Sequence, residues 1–166
     1  MSRQVLFVCT GNIFRSLTAE HALRRALAGR PDVQVASAGS DDYPHVVRPR
    51  VRDYLALKGF DVSRHQRRTL CAAMLASRPL VIAMSTDHRA HLLERFAHPA
   101  LLFLEACGEA PGALPDIEEA VADYLTNPAA VEAHMRATID RIVELTPRLA
   151  ARLDHLFSES VHEPGP

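Results

Sequence analysis

The stretch from Val5 to Glu20, VLFVCTGNIFRSLTAE, constrains the fold of this chain more than any other segment. Its first four residues, Val5 to Val8, form a short apolar run that is typical of a strand buried on both faces. Residues 16–28 place leucine and alanine at helical spacing, which predicts an amphipathic helix. The loop between them contains Gly11 and Asn12, which tolerate positive φ angles. A strand, a tight loop and a helix N-terminus together predict an anion site, because unpaired amides and the helix dipole attract negative charge.

Two residues that flank this loop add chemistry to the predicted anion site. Arg15 carries a planar guanidinium, which can bind two oxygens of a phosphate group. Thiols at a helix N-terminus and beside an arginine ionise more readily than free cysteine. Cys9 is therefore predicted to be a thiolate placed for in-line attack on a bound phosphorus atom. Ser16, next to the arginine, can hydrogen-bond to the sulfur and help it leave in a second step.

The segment VCTGNIFRSLTAE resembles the phosphate loop of low-molecular-weight protein tyrosine phosphatases, whose usual form is close to VCxGNICRSPxAE. The resemblance implies that the loop residues bind the phosphate: Thr10, Gly11, Asn12, Ile13, Phe14 and Ser16. Phe14 stands where many relatives have a second cysteine that traps an oxidised nucleophile as a disulfide, so we expect this rescue to be absent. Leu17 replaces the usual proline at the helix start, which costs some preorganisation but removes no chemical group.

The rest of the chain predicts a single α/β domain. A length of 166 residues with 48% hydrophobic content suits one globular core. Apolar runs at Val33–Ala38, Pro79–Met84 and Ala100–Leu104 alternate with helical segments, which predicts right-handed crossovers and a parallel sheet covered on both faces. The resemblance implies four parallel strands in the order 2-1-3-4 within a three-layer α/β/α, phosphatase I/Rossmann-like fold. We expect this domain to span residues 1–157 and residues 158–166 to form a flexible tail.

Composition and charge narrow the range of partners. The formal net charge of −1 does not indicate a basic surface that would bind nucleic acid or an anionic membrane. Cys9, Cys71 and Cys107 have no metal-ligand spacing, and without a signal peptide they predict reduced thiols in the cytoplasm. Cys71 is expected on the apolar side of a helix from Thr69 to Ser77, as a small core residue. No cofactor is predicted, and we expect a monomer or a weak homodimer.

Histidines and arginines elsewhere offer further candidates. His88 and His91 lie with Glu94 at helical spacing in a helix predicted for Thr86 to Phe96. No metal site is predicted there, because the segment lacks an H-E-x-x-H pattern and a fourth ligand, and we expect these histidines to be exposed. A basic cluster is predicted to face solvent, with a partner contact as the alternative: Arg64, Arg67 and Arg68.

An aromatic residue follows the second predicted strand. Ser37 to Ser40, SAGS, closely resembles the SAGT that ends this strand in the family. Tyr43 then stands where relatives often place an aromatic residue on the rim of the substrate cleft. It is predicted to form a cleft wall that stacks on an aryl phosphate, with a half-packed surface tyrosine as the alternative.

The general acid is harder to place. The family carries it as an aspartate in a loop close to VPDPYYGGPxxFE, and this sequence has no Asp-Pro. The best match makes Asp123 the acid and lets Tyr124 line the cleft, because Asn127 and Pro128 then cap and begin a final helix through about residue 155. Two alternatives remain open: Asp116, which follows a Leu-Pro pair, and Glu119, which fits a DVED form of the loop. All these carboxylates can also be purely structural charges at a loop or helix start.

Three functions fit these features. The leading one is a phosphomonoester hydrolase that forms a phosphocysteine on Cys9 and acts on protein phosphotyrosine or a small phosphorylated metabolite. The second is thiol-dependent arsenate reduction on the same fold, although Cys71 and Cys107 do not form a close pair in the sequence. The third is a phosphate- or phosphotyrosine-binding module without turnover, which the missing Asp-Pro suggests.

Overall fold

A computed structural model describes residues 3–161 and shows one four-stranded parallel sheet in the order β2-β1-β3-β4. The strands are β1 (Arg3–Cys9), β2 (Val33–Gly39), β3 (Leu80–Ala83) and β4 (Leu101–Leu102). The helices are α1 (Arg15–Ala26), α2 (Pro49–Leu57), α3 (Ala72–Leu75), α4 (Thr86–Phe96), α5 (Phe103–Ala106), α6 (Ile117–Ala120) and α7 (Pro128–Val161). The predicted α/β class and strand order are confirmed.

The central strand β1 is buried on both faces, as its apolar sequence predicts. Val5 and Phe7 point to the face that α1 and α7 cover, where they join one hydrophobic cluster with Leu23. Leu6 and Val8 point to the opposite face and pack with residues of α3 and α4. This alternation follows from the two-residue period of a strand and produces the three-layer arrangement. No helix among residues 3–161 has the length and apolar character needed to cross a membrane.

The carboxyl ends of the parallel strands position the loop that follows β1. Cys9 is the last residue of β1 and pairs with Gly39, the last residue of β2. The amide of Ser40 donates to the carbonyl of Cys9 at 2.8 Å, and the amide of Met84 donates to the carbonyl of Val8 at 2.9 Å. The segments after β1, β2 and β3 therefore meet at one edge of the sheet, which is where parallel α/β sheets bind ligands.

Several element boundaries differ from the prediction for local reasons. Helix α2 begins at Pro49 although the apolar and basic residues from Val46 onward also suit a helix, because the proline occupies the first helical turn and Arg48 before it is extended. Helix α3 is short because Thr69 forms a bridge with Gly39 instead of starting a helix. Cys71, predicted to be a core residue on that helix, is exposed. The prediction for Cys71 was wrong.

The last helix is longer than the sequence indicated. Asn127 caps it as predicted, since its side-chain oxygen accepts from the amide of Ala130 at 3.0 Å. Helix α7 then continues to Val161, beyond the predicted end near residue 155. Residues 158–161, expected to begin a flexible tail, are thus helical, and the remainder of that tail, 162–166, lies outside the described residues.

Substitution of Gly39 by alanine is expected to damage both the fold and the phosphate loop. A Cβ atom at this position would lie 2.6 Å from the carbonyl oxygen of Thr10, which is backbone and cannot rotate away. We expect a loss of about 1–3 kcal/mol in the free energy of unfolding, measured by denaturant titration, together with weaker phosphate binding. Gly112→Ala is the matched control, because its added Cβ would meet the flexible end of Leu104 at 3.3 Å. Equal stability of the two variants would contradict this expectation.

Candidate active site

The sulfur of Cys9 lies inside the loop that follows β1. The residue is 2% exposed. The sulfur accepts a hydrogen bond from the amide of Asn12 at 3.3 Å and lies 3.0 Å from the hydroxyl oxygen of Ser16. These donors can stabilise negative charge on the sulfur, both as an attacking thiolate and as a leaving group.

A chain of hydrogen bonds fixes the direction of the Ser16 hydroxyl. The carboxylate of Glu20, which is buried, accepts from the hydroxyl of Ser37. The amide group of Asn12 donates to Ser37 at 2.7 Å and to Ser16 at 3.0 Å. Since the Ser16 oxygen accepts from Asn12, its own hydrogen is free to donate to the sulfur of Cys9. The sequence motif predicts Asn12 and Ser16 as phosphate-loop residues but indicates no role for Glu20 or Ser37.

The backbone of the loop is held in an unusual conformation at Asn12. Its φ angle is 57°, in the left-handed region that asparagine tolerates better than most residues. The carbonyl of Asn12 accepts from the ring of His65 at 2.8 Å, and its side-chain oxygen accepts from the amide of Arg68 at 2.9 Å. Burial lowers the pKa of His65, so the ring is neutral at pH 7 and donates through its single Nε2 proton.

Arg67 also binds the loop, contrary to the predicted solvent-facing cluster. Its guanidinium donates to the carbonyl of Gly11 at 3.1 Å and to the carbonyl of Asp41 at 2.6 Å. Arg64 is exposed, as predicted. The prediction was therefore wrong for Arg67, whose side chain joins the phosphate loop to the segment after β2.

The guanidinium of Arg15 is buried with part of its hydrogen-bonding capacity unused. The residue is 1% exposed, and its Nη1 donates to the carbonyl of Leu114 at 2.9 Å. Among the described residues, one buried side-chain nitrogen or oxygen lacks a hydrogen-bond partner, and it is Nε of Arg15. The amides of Gly11, Ile13 and Phe14 also donate to no atom of residues 3–161. Buried donors are rarely left unpaired, so this arrangement suits a bound anion with several oxygens.

The acid candidates lie in different surroundings. Asp116 forms an ion pair with Nη2 of Arg15 at 2.5 Å, and its other oxygen accepts from the amide of Ile117 at 2.8 Å. Asp123 is exposed, and its carboxylate accepts from the side chain of Asn127 at 3.0 Å. Glu119 accepts from the amide of Asp116 at 2.8 Å and so serves as a helix cap. The structure therefore brings Asp116, and not the predicted Asp123, into contact with Arg15.

Contacts from three sides hold the segment that carries Asp116. The amide of Leu114 donates to the carbonyl of Met84 at the end of β3, at 2.8 Å. The carbonyl of Leu114 accepts from Arg15, and the carbonyl of Pro115 accepts from the ring of His134 on α7 at 3.0 Å. These contacts fix the carboxylate of Asp116 beside the phosphate loop rather than leaving it on a free surface loop.

Two aromatic residues were predicted to line the cleft. Tyr43 is 65% exposed, and its ring centroid lies 4.9 Å from that of His45. His45 in turn covers Gly11, since a Cβ atom there would meet its ring at 3.1 Å. Tyr124 is half-buried and packs against the hydrophobic cluster that contains Phe14. The structure thus places His45 against the loop with Tyr43 beside it, whereas Tyr124 packs against the neighbouring hydrophobic cluster.

His88 is buried, although the sequence predicted an exposed position. Its Nε2 lies 2.9 Å from the hydroxyl of Thr10, and its Nδ1 lies 2.8 Å from the hydroxyl of Ser85. No group of three metal-ligating side chains occurs within residues 3–161 that could hold a metal ion. His88 therefore contacts the phosphate loop, which no pattern in the sequence indicated.

The other two cysteines lie in environments unlike that of Cys9. Cys107 is fully buried in the core, and burial raises the pKa of its thiol to about 12. Cys71 is exposed. Arsenate reduction of the predicted kind passes electrons through further thiols. Cys107 does not support such a role, because its thiol stays protonated at neutral pH.

Because Phe14 stands in place of a second cysteine in the loop, we expect the protein to respond to oxidation in a particular way. Its side chain packs into a hydrophobic cluster with Leu17 and Leu55, and no cysteine other than Cys9 stands in the loop. We expect peroxide to inactivate the protein beyond recovery by dithiothreitol, since a sulfenic acid on Cys9 lacks a neighbouring thiol and proceeds to higher oxides. Bound inorganic phosphate should protect. Recovery of most of the activity by dithiothreitol after prolonged peroxide treatment would contradict this expectation.

Comparison with known proteins agrees with the geometry. The family model for low molecular weight phosphotyrosine protein phosphatase matches residues 4–156. The chain is 33% identical over 103 residues to the probable low molecular weight protein-tyrosine-phosphatase EpsP of Ralstonia nicotianae, a match covering 60% of this chain and 66% of that protein. It is 37% identical over 89 residues to the low molecular weight protein-tyrosine-phosphatase Etp of Escherichia coli, covering 53% of this chain and 58% of that protein.

Solved structures show the same fold over a longer span. The YwlE arginine phosphatase from Geobacillus stearothermophilus has a TM-score of 0.75 and 24% sequence identity, and the alignment covers 98% of both chains. The sequence matches, by contrast, span less than two thirds of the two curated relatives. The structural match thus establishes the fold and the family model establishes the relationship.

Proposed function

This chain belongs to the low molecular weight phosphotyrosine protein phosphatase family, and on that basis we propose that it hydrolyses phosphomonoesters through a phosphocysteine formed on Cys9. One observation carries the proposal. The buried guanidinium of Arg15 keeps an unpaired Nε next to the loop amides of Gly11, Ile13 and Phe14, which are also unpaired. These groups surround a sulfur that two donors contact. Such a site is complementary to a phosphoryl group above the sulfur.

Substrate binding is proposed to change the partner of Arg15. In the absence of substrate, Nη2 of Arg15 is paired with Asp116. A phosphate dianion offers three terminal oxygens to Nε, Nη2 and the loop amides, and so replaces the carboxylate as the main partner. The dianion also repels the carboxylate of Asp116, which helps to release it from Arg15.

Cys9 and Asp116 then carry the first chemical step. The thiolate of Cys9 attacks phosphorus in line with the leaving oxygen, so a sulfur–phosphorus bond forms while the phosphorus–oxygen bond breaks. Asp116 gives its proton to the leaving alkoxide or phenoxide. Its contact with Arg15 supports this role, whereas Asp123, the acid favoured by the sequence match, is exposed and bonded to Asn127.

The second step reverses the role of Asp116. The carboxylate left by proton transfer takes a proton from water, which attacks the phosphocysteine and releases inorganic phosphate. Ser16 donates to the departing sulfur, and the chain from Glu20 through Asn12 keeps this hydroxyl directed at it. The enzyme returns to its starting state without a cofactor.

An aryl phosphate is the proposed substrate class, and protein phosphotyrosine its natural form. The two curated relatives carry the name tyrosine phosphatase. The exposed ring of Tyr43 and the half-buried ring of His45 lie beside the loop, where the phenyl ring of phosphotyrosine can stack. A short phosphoserine side chain reaches the sulfur less easily past these rings.

A panel of phosphorylated compounds tests this proposal. We expect kcat/KM for a phosphotyrosine peptide to exceed that for the matched phosphoserine peptide by about a hundredfold or more. Phosphoarginine peptide and small phosphorylated metabolites complete the panel, because the structural relative YwlE is an arginine phosphatase. A higher kcat/KM for a metabolite or for phosphoarginine would overturn the assigned substrate. Binding of phosphate without turnover of any compound would overturn the enzymatic function.

A further inference from the structure

A histidine outside the phosphate loop is linked to Arg15 through one loop residue. Thr10 follows Cys9 directly, and its hydroxyl lies 2.9 Å from Nε2 of His88. The same hydroxyl accepts a long hydrogen bond, 3.4 Å, from Nη2 of Arg15. The second nitrogen of His88 is bonded to Ser85, the residue that precedes helix α4, at 2.8 Å. Both ring nitrogens are therefore engaged, and the ring is 5% exposed.

The bond from Arg15 has a fixed direction, and we assign the two bonds of His88 to the neutral tautomer that carries its proton on Nδ1. A guanidinium has only donors, so the oxygen of Thr10 must accept from Arg15. The hydrogen of the Thr10 hydroxyl is then free for Nε2 of His88, which accepts it when the ring is neutral. Nδ1 of His88 carries the remaining proton and donates to Ser85.

The surroundings of the ring agree with a neutral imidazole. Burial, reinforced by the nearby guanidinium of Arg15, lowers the pKa of His88 to about 4. Within this total shift of the His88 pKa, the carboxylate of Asp116 acts in the opposite direction and His91 adds a smaller lowering contribution. An uncharged ring at neutral pH keeps its acceptor nitrogen available to Thr10 and places no second charge against the guanidinium.

We propose that His88 is a positioning residue of the phosphate site, which directs the Thr10 hydroxyl and thereby holds the guanidinium of Arg15 where it meets a phosphoryl group. When substrate displaces Asp116 from Nη2, the oxygen of Thr10 remains as a fixed acceptor on the same nitrogen. The inference rests on the proposed phosphatase function, but it concerns binding of the anion and can be measured without turnover.

The test compares His88→Ala and Thr10→Val with wild-type protein. Affinity for inorganic phosphate is measured by calorimetry, and kcat and KM are measured with an aryl phosphate. We expect each variant to bind phosphate about tenfold more weakly and to raise KM by a similar factor, with kcat changed by less than about threefold. Thr10→Ser, which keeps the hydroxyl, should restore most of the affinity. His91→Ala, one turn further along α4, is the matched control and should bind phosphate as wild type does.

A double variant separates positioning from general damage to the fold. If His88 acts through Thr10, His88→Ala combined with Thr10→Val should bind phosphate no more weakly than Thr10→Val alone. Full additivity of the two losses would overturn the inference, as would phosphate affinity within about twofold of wild type in His88→Ala. If His88→Ala does not fold, phosphate affinity is compared in Ser85→Ala and Thr10→Val instead. Unchanged phosphate affinity in both of these variants would overturn the inference. Absence of turnover in every variant, wild type included, would refute the proposed function while the phosphate affinities still decide this inference.

Discussion

Replacement of Cys9 by serine is expected to abolish hydrolysis of aryl phosphates, with a loss in kcat of about 10⁴-fold or more. A serine hydroxyl remains protonated at neutral pH, and among residues 3–161 no histidine is hydrogen-bonded to Cys9 to remove its proton. The serine hydroxyl can still hydrogen-bond to Asn12 and Ser16, so the loop should keep its shape. Steady-state kinetics with p-nitrophenyl phosphate measure this effect.

Cys71→Ser is the matched control for this loss, because Cys71 is an exposed free cysteine outside the loop. It should retain wild-type kcat and KM. Binding of inorganic phosphate to Cys9→Ser shows whether the loop stays intact, and we expect affinity within about tenfold of wild type. A Cys9→Ser variant that binds phosphate and still turns over at a wild-type rate would remove the thiolate mechanism.

Asp116→Asn is expected to cause the second largest loss. Without a proton for the leaving group, kcat for phenyl phosphate or a phosphotyrosine peptide should fall by about 10²–10³-fold. The loss in phosphocysteine formation should be much smaller for p-nitrophenyl phosphate, because nitrophenolate departs without protonation. Since asparagine cannot accept a proton from water either, hydrolysis of the phosphocysteine should become rate-limiting with this substrate.

Asp123→Asn is the matched control and also tests the alternative acid. Asp123 is exposed, and its side chain is hydrogen-bonded to Asn127 rather than to a residue of the phosphate loop. We expect its substitution to change kcat by less than about twofold for every substrate, as for an ordinary surface residue. If Asp123→Asn instead shows the leaving-group dependence described for Asp116, the general acid has been assigned to the wrong aspartate.

The phosphate loop was predictable from the sequence because its contacts are local. Cys9, Asn12 and Ser16 lie within one strand–loop–helix unit, and their mutual hydrogen bonds join residues three to seven positions apart. The motif therefore contains both the chemical groups and the turn residues that place them. The alternation of apolar runs and helices likewise predicted the parallel sheet, whereas its strand order was implied by the family resemblance.

The environment of Asp116 was not predictable in this way. The register of the acid loop was set from Asn127 and Pro128, which do begin α7 as expected. The four-residue helix α6 lies between Asp116 and that point, and nothing in the spacing indicated it. The contacts that hold this segment, to Met84 on one side and His134 on the other, join distant parts of the chain.

The burial of His88 was also not predictable from the sequence. A histidine in the first turns of a helix is usually exposed, and no pattern around His88 indicated a buried position. The hydrogen bond to Thr10 spans 78 positions and exists because β1 and β3 are neighbours in the sheet, with the segments after both at one edge. Burial of this ring is a consequence of topology rather than of its local pattern.

Trapping of the phosphorylated enzyme tests the central claim most directly. Asp116→Asn protein is mixed with p-nitrophenyl phosphate, quenched within the first turnover and digested for mass spectrometry. We predict a burst of nitrophenolate equal to the enzyme concentration and a phosphoryl group on the sulfur of Cys9, in the peptide that begins the phosphate loop. A phosphoryl group on any other residue, or a burst with unmodified Cys9, would contradict the mechanism.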